Sequence, residues 1–104
     1  MPAPARLVAQ AWLTDTFGAR VQEAVDMAHF LLRNEGLWVG SSSAVNCVGA
    51  VKVARALGRG KRVVTILCDG GARHLSKFYD RQFLESNGLH IPGALDANLT
   101  WIGA

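Results

Sequence analysis

The sequence lacks the signatures of several common protein classes. No apolar run approaches the roughly 18–20 residues that a membrane-spanning helix needs. The sequence contains neither a Gly-X-Gly-X-X-Gly fingerprint nor a Walker-type loop, which are the usual signatures of dinucleotide and nucleoside-triphosphate sites. Only two cysteines occur, and they do not form a Cys-X-X-Cys pair. These absences argue against a membrane protein, a nucleotide-binding loop and a local zinc motif.

Charge is also sparse, with 18% charged residues and a formal net charge of +3. The basic residues collect between positions 55 and 62, around two glycines and without interleaved aromatics, which indicates a solvated loop rather than a nucleic-acid surface. The beginning of the chain lacks a convincing secretory signal. We therefore expect a cytoplasmic protein that binds neither nucleic acid nor membranes. The N-terminal arginine, with no acidic residue before Asp15, leaves a mitochondrial location open.

What remains is a composition typical of a folded domain. Half of the 104 residues are apolar, and eleven glycines suggest tight turns and close packing. Such a length allows one domain or a piece of one. Cys47 and Cys68 are expected to be buried free thiols in a reducing compartment. With His74 they could supply three metal ligands, but no local pattern offers a fourth, and no metal site is expected.

Apolar residues at helical spacing predict two helices. The first begins at Val21, has acidic residues near its start and Arg33 near its end, and is closed by Asn34 and Gly36. His29 is expected to be an exposed or capping histidine and not a ligand. The second helix spans about residues 44–57 and ends at Gly58. Shorter helical pieces are predicted over residues 74–80 and 81–87.

Two segments have the composition of strands that run into helices. Leu37–Val39 is short, whereas Arg62–Cys68 is β-branched and continuously apolar after its first residue, as in strands that are covered on both faces. The predicted fold class is therefore α/β, with a partial parallel sheet and flanking helices. Two strands, or three if residues 14–19 join them, leave edges and faces uncovered. We therefore expect an oligomer, or the C-terminal part of something larger.

Each strand is followed by a turn that could hold a ligand. Gly40 and three serines precede the second helix, so hydroxyls and free backbone N–H groups converge there. Taken alone, those serines are better explained as helix N-caps. Asp69 with two glycines could be a simple turn, or could place a carboxylate beside a ligand. A catalytic serine is not supported, because neither His29 nor His74 has a recognisable acid partner.

These two turns resemble one enzyme family. Residues 35–44 (EGLWVGSSSA) are similar to the segment E-G-[IL]-x-x-G-x-S-[SA]-G of pyridoxal-phosphate (PLP) enzymes of fold type II, in the cysteine synthase and cystathionine β-synthase group. Residues 61–77 (KRVVTILCDGGARHLSK) are similar to that family's closing segment V-x-[IL]-L-P-D-S-G-x-R-Y-[LM]-[ST]. Order and spacing agree. The resemblance covers residues 14–89, between a weakly patterned segment 1–13 and a tail, 90–104.

The resemblance implies the C-terminal part of the fold type II (tryptophan synthase β-like) fold and a PLP cofactor. It places Ser42 at the pyridine nitrogen of PLP, with Gly40, Ser43, Cys68 and Asp69 around the cofactor. A neutral hydroxyl does not force that nitrogen to stay protonated, which suits β-elimination and β-replacement. Three residues depart from the family pattern: Ala44 stands for Gly, Cys68 for Pro and His74 for Tyr.

The family's other essential parts do not occur in this sequence. Lys52, Lys61 and Lys77 lack the context of the Schiff-base lysine, and the Ser/Thr-Gly-Asn substrate loop and the Gly-Thr-Gly-Gly-Thr phosphate loop are absent. No catalytic residue is therefore assigned. The first hypothesis is a C-terminal fragment of a cysteine synthase, an enzyme that forms cysteine from O-acetylserine or a related serine derivative, inactive as this isolated chain. The alternative is a non-catalytic interaction module that pairs with itself or with a full-length relative.

Overall fold

The computed structural model of the protein describes residues 21–103. Within this range, the regular structure consists of three α-helices and one short 3-10 helix: α1 (Val21–Glu35), α2 (Ser41–Leu57), the 3-10 helix (Gly71–His74) and α3 (Arg81–Ser86). The segment 1–13 and the third strand considered at residues 14–19 lie outside the described residues. Within residues 21–103, no helix combines the length and the apolar character that crossing a membrane requires.

Helix α1 confirms the sequence pattern. Glu23 lies in its first turn and Arg33 in its last, so each charge complements the helix dipole. Gly36 follows the helix with φ +66°, a conformation that favours glycine. The next residue, Leu37, donates its N–H to the carbonyl of Leu31 at 3.1 Å. The helix therefore ends within two residues of the predicted position.

Helix α2 was also predicted, but it begins about a turn earlier than expected, at Ser41. It ends at Leu57. Gly58 adopts φ +83° and donates its N–H to the carbonyl of Ala54 at 3.0 Å. All three serines therefore belong to the first turn of α2 instead of a loop that precedes it.

The core lies between α1 and α2, and the chain beyond residue 77 completes it. Val25 of α1 and Val48 of α2 are fully buried, as is Leu84 of α3. His29 is buried as well, and its Nε2 atom lies 3.0 Å from the carbonyl oxygen of Phe78. Of the two positions considered for His29, the exposed one is therefore wrong, and the His29 ring nitrogen contacts a carbonyl outside α1. The remaining core residues are Ala24, Met27, Ala28, Ala44, Phe78 and Ile102.

A buried ion pair links the two long helices. Lys52 Nζ of α2 lies 3.1 Å from Glu23 Oε1 of α1, and both side chains are almost inaccessible to solvent. The second carboxylate oxygen of Glu23 accepts a hydrogen bond from the backbone N–H of Gly103 at 2.6 Å. One carboxylate thus contacts both α2 and the C-terminal end of the described chain.

Two arginines fix the segment that the sequence left as a weakly patterned tail. Arg55 donates to three backbone carbonyls within residues 99–103, at 2.6–3.3 Å. Arg33 donates to the carbonyls of residues 92–93 at 2.6 and 2.8 Å. Because Ile102 is buried in the core, this segment packs on the α1–α2 pair.

The partial parallel sheet predicted from the sequence is not present among residues 21–103. In place of strand pairing, Val39 and Gly70 form one isolated antiparallel bridge. Residues 62–68 form neither helix nor strand, and nearly all of them are exposed. A strand needs neighbouring strands that pair with its backbone groups and elements that cover its faces, and among the described residues no strand pairs with this segment. The apolar, β-branched composition of residues 62–68 was therefore not enough to predict a strand there.

Candidate functional site

The first turn of α2 is held by a residue that is distant in sequence. Gly40 occupies the N-cap position in an extended conformation and has no side chain to accept a hydrogen bond. The interpretation that one of the serines is the N-cap is therefore wrong. The first turn of α2 contains no acidic residue either. The acceptor comes from Asp69 instead.

The Asp69 carboxylate lies directly on the N-terminus of α2. Its Oδ1 atom accepts the backbone N–H of Ser43 at 2.9 Å, and Oδ2 accepts that of Ser42 at 3.3 Å. The Ser43 hydroxyl donates to Oδ1 at 2.5 Å and accepts the backbone N–H of Asp69 at 3.0 Å. We call this arrangement of Ser42, Ser43 and Asp69 the Asp69 cap. It satisfies backbone donors that a helix start leaves without partners.

These contacts change the acidity of Asp69. Burial raises the pKa of the Asp69 carboxyl, but the hydrogen bonds from Ser43 and Ser42 and the neighbouring His74 outweigh burial, so that the pKa is lowered from its ordinary value of 3.8. Hydrogen bonds donated to a carboxylate favour its charged form. Asp69 is therefore a carboxylate at neutral pH.

The backbone of residue 40 approaches Asp69 so closely that only glycine fits. The Gly40 N–H donates to the Asp69 carbonyl at 3.1 Å, and the Gly71 N–H donates to the Trp38 carbonyl at 3.0 Å. A Cβ atom at position 40 would collide with the Asp69 carboxylate and would lie 2.8 Å from His74 Cδ2. The two family-like turns are thus brought together, although by an antiparallel bridge and not by a parallel sheet.

His74 and Ser41 complete the cluster. His74 Nε2 lies 3.4 Å from Ser41 Oγ and 3.4 Å from Asp69 Oδ2. His74 Nδ1 is buried and has no hydrogen-bond partner among the described residues. A serine-activating triad needs the serine and the acid on opposite nitrogens of the imidazole. Here both groups approach the same nitrogen, so the arrangement does not support nucleophilic catalysis by Ser41.

The residues predicted to surround PLP are close together but differ in exposure. Ser42 is exposed on the first turn of α2, whereas Gly40 and Ser43 are buried. Cys68 is exposed, and its Sγ atom lies 4.0 Å from Ser43 Oγ. Asp69 is half-buried and forms the cap. Among these five residues, Ser42 and Cys68 are therefore the most accessible to a ligand.

Sequence reasoning missed three participants. Ser41 and His74 were not assigned to the site, although His74 lies close behind Asp69 in the sequence. Tyr79 donates its hydroxyl to the carbonyl of Val39 and so supports the turn before Gly40. A possible signal for His74 was its position in the family-like segment. No sequence pattern pointed to Tyr79, because its partner lies 40 positions away.

The cysteines differ from the expectation of two buried thiols. Both are free, but Cys47 is only partly buried and Cys68 is exposed. Burial raises the pKa of the Cys47 thiol, which reduces its thiolate fraction at neutral pH. Among the described residues, no group of three or more His, Cys, Asp or Glu side chains is arranged to hold a metal ion.

The sequence is similar to known enzymes over most of its length. It is 46% identical over 89 residues to a cysteine synthase from Dictyostelium discoideum, a match that covers 86% of this chain and 24% of that protein. It is 51% identical over 77 residues to cysteine synthase 2 from Schizosaccharomyces pombe, covering 72% of this chain and 20% of that protein. A cystathionine β-synthase from Apis mellifera is 37% identical over 70 residues, or 67% of this chain.

Over this region, the chain belongs to the PLP-dependent cysteine synthase and cystathionine β-synthase family. The family resemblance of the two turns is thereby confirmed. The chain spans about a quarter or less of the length of the first two relatives. No family model matches the chain.

The cluster is compatible with the role that the cysteine synthase resemblance gives to Ser42. The Ser42 side chain is exposed, and its backbone N–H is engaged by Asp69. The Asp69 carboxylate already balances the positive end of α2. What Ser42 offers a ligand is then a neutral hydroxyl, which suits an uncharged aromatic nitrogen such as that of the PLP ring.

Proposed function

We propose that the Asp69 cap presents Ser42 to the pyridine nitrogen of PLP, as part of a cysteine synthase-like site. The observation that carries this proposal is the division of roles between two neighbouring serines. Ser43 is buried and its hydroxyl donates a hydrogen bond to Asp69, whereas Ser42 is exposed. The Ser43 hydroxyl is therefore engaged within the cap, and the Ser42 hydroxyl is the one that a ligand can reach.

When bound, PLP supplies an electron sink through its ring. In the proposed site Ser42 orients the ring, Asp69 holds the first turn of α2 in place, and the exposed Cys68 borders the ring. The parent reaction would be β-replacement on O-acetylserine or a related serine derivative. The isolated chain would lack turnover, since no lysine in it has the context of the family's Schiff-base lysine.

The proposed assembly and location follow the same family argument. The substrate would be a small amino acid, and the active protein would form a homo-oligomer or pair with another chain. We expect a cytoplasmic location. The mitochondrial alternative stays open, because a Saccharomyces cerevisiae relative, 43% identical over 70 residues, is named a putative mitochondrial cysteine synthase.

A chimaera tests the role of Ser42. The corresponding segment of the Dictyostelium cysteine synthase is replaced by residues 14–103 of this chain, so that the C-terminal segment that completes the core is kept, and cysteine formation is measured. We expect Ser42→Ala to lower kcat about tenfold, as the loss of about 1.4 kcal/mol of transition-state stabilisation would. It should also shift the absorption band of the bound cofactor. Equal kcat and an identical spectrum in the Ser42→Ala chimaera would refute the role.

The matched control is Ser86→Ala in the same chimaera. Ser86 is an exposed serine at the end of α3 whose hydroxyl donates to the carbonyl of Gln82 at 2.8 Å. Its replacement removes one hydroxyl without touching the Asp69 cap. Activity and spectrum should stay unchanged in this control.

A second candidate function is a non-catalytic module that pairs with itself or with a full-length relative. It is favoured by one observation, the exposure of the apolar residues 62–68. Large side chains that remain exposed side by side mark interaction surfaces.

A further inference from the structure

The hydroxyl of Tyr79 contacts the backbone immediately before α2. It donates a hydrogen bond to the carbonyl oxygen of Val39, 40 positions earlier in the chain. Val39 is buried. A buried carbonyl that lacks a hydrogen bond destabilises a fold, so Tyr79 satisfies a backbone group that needs a donor.

The isolated bridge between the two turns explains why a side chain has to supply this donor. The two hydrogen bonds of the bridge join the residues that flank Val39 and Gly70, and not these two residues themselves. In an antiparallel pair of this kind, the backbone groups of the facing residues point away from each other. Gly70 therefore cannot donate to the Val39 carbonyl, and the Tyr79 hydroxyl does so instead.

The Val39 carbonyl is one end of the peptide group that enters α2. The other end is the N–H of Gly40, the N-cap residue, which donates to the Asp69 carbonyl at 3.1 Å. Tyr79 and Asp69 thus hold the same peptide group from its two sides. Since glycine restricts its own backbone less than any other residue, these two contacts determine the direction in which the chain enters the helix. Ser42 lies two residues further on, in the first turn of α2.

The Tyr79 side chain is itself held in place. Its ring packs nearly edge-on against Trp38, with ring centroids 6.1 Å apart, and lies tilted against His29 of α1 at 5.2 Å. Burial raises the pKa of the Tyr79 hydroxyl above its ordinary value of 10.0, more than the hydrogen bond to Val39 lowers it. The hydroxyl is therefore protonated at neutral pH and can donate.

We propose that Tyr79 is a positioning residue for Ser42. Its hydroxyl fixes the peptide group between residues 39 and 40. This peptide group sets the direction of the first turn of α2, from which the Ser42 hydroxyl meets the pyridine nitrogen of PLP. Tyr79 acts through the backbone and not by contact with the ring. The inference rests on the proposed function of Ser42 and adds the residue that aligns it.

Amide hydrogen exchange in the full chain tests the first step without any cofactor. Tyr79→Phe removes the hydroxyl and keeps the aromatic ring. We expect the Gly40 N–H to exchange about threefold to tenfold faster in this variant, because its peptide group loses one of its two contacts. The N–H of Ile102 donates to the Leu99 carbonyl, far from this turn in the sequence, and should exchange at an unchanged rate. Unchanged exchange at Gly40, or equal acceleration at Gly40 and Ile102, would overturn the proposal.

The chimaera with the Dictyostelium cysteine synthase tests the second step. Tyr79→Phe should lower kcat about threefold with KM unchanged. It should also shift the absorption band of the bound cofactor in the same direction as Ser42→Ala. Because Tyr79 acts through Ser42, the double variant should be no slower than Ser42→Ala alone.

Trp101→Phe in the same chimaera is the matched control. It also removes an aromatic donor to a backbone carbonyl, here that of Asp96 at 3.1 Å, and it leaves the turn before α2 untouched. The values of kcat and KM and the absorption band should stay unchanged in this control.

The outcomes separate the role of Tyr79 from the function on which it rests. Normal kcat and a normal spectrum in Tyr79→Phe, beside an impaired Ser42→Ala, would refute the role of Tyr79 alone. Losses that multiply in the double variant would show that Tyr79 acts independently of Ser42, which overturns the positioning role. A Ser42→Ala variant without effect would remove the Ser42 function and the positioning role with it.

Discussion

The Asp69 carboxylate lies at the start of α2 although it is 26 positions further along the chain than Ser43. Helix caps usually come from the residue just before the helix, where Ser, Thr, Asp or Asn accepts a free N–H. Here that position is Gly40, which leaves room for the carboxylate to approach. At the scale of single residues, the site therefore depends on a long-range contact between the two turns.

Asp69→Asn should destabilise the fold by about 1 kcal/mol at neutral pH, the usual effect of losing a good helix cap. The folded-state pKa of Asp69 is lowered, so its stabilising effect is present above the ordinary value of 3.8 and is lost as the pH falls through the folded-state pKa. The difference between wild type and variant should therefore shrink in acid. Urea unfolding at neutral pH and near pH 3 measures both effects.

Glu85→Gln is the matched control for this experiment. Glu85 is exposed and lies 4.0 Å from Arg81, a pair of the kind that contributes little. Its replacement should change stability by less than about 0.5 kcal/mol at either pH. An Asp69→Asn variant that behaves like Glu85→Gln would show that the cap does not stabilise the fold.

At the scale of elements, helices were predicted well and strands were not. The apolar periodicity of α1, with Glu23, Arg33 and Gly36 at its ends, is local information, and the helix formed where expected. Strand formation at residues 62–68 depends on neighbours that the described chain does not supply. The family resemblance grouped residues of the two turns around one cofactor. It did not predict the Asp69 cap that joins the turns, because that cap is a contact between residues distant in sequence.

The ion pair between Lys52 and Glu23 is the clearest polar link between α1 and α2. Glu23→Gln should destabilise the fold by about 3 kcal/mol, since it leaves a buried ammonium without that carboxylate charge. Adding Lys52→Met should recover part of this loss, which gives a coupling energy above about 1 kcal/mol. A double-mutant cycle measured by urea unfolding gives this value.

The same cycle on the exposed pair Arg81 and Glu85 provides the comparison. Both of these side chains are mostly exposed, and their coupling should be below about 0.5 kcal/mol. Equal coupling in the two cycles would mean that burial contributes nothing to the pair in the core.

At the scale of the whole molecule, the chain beyond α3 closes the core. Its hydrophobic pattern was too weak to predict this, because packing depends on a few residues such as Ile102 and on arginine contacts to backbone carbonyls. Arg55 contributes three such contacts within residues 99–103. Side-chain-to-backbone contacts of this kind leave no periodic trace in a sequence.

Arg55→Met should loosen this C-terminal segment. The methionine keeps most of the side-chain volume but removes the hydrogen bonds to the carbonyls, at a cost of about 1 kcal/mol. Amide hydrogen exchange at Ile102, whose N–H donates to the Leu99 carbonyl at 3.1 Å, should become faster. Arg59→Met is the control, because Arg59 is exposed near the end of α2. Unchanged exchange at Ile102 in the Arg55 variant would contradict this role.

The Asp69 cap also limits which molecules can settle beside Ser42. A free phosphate or carboxylate could bind at the N-terminus of α2 only by displacing the Asp69 carboxylate. Because the chain holds that carboxylate nearby, its effective concentration is on the order of millimolar. An uncharged heterocycle meets no such competition, because it needs a hydroxyl and not the dipole. The Asp69 cap thus disfavours anions at the N-terminus of α2, where the helix dipole would otherwise attract them.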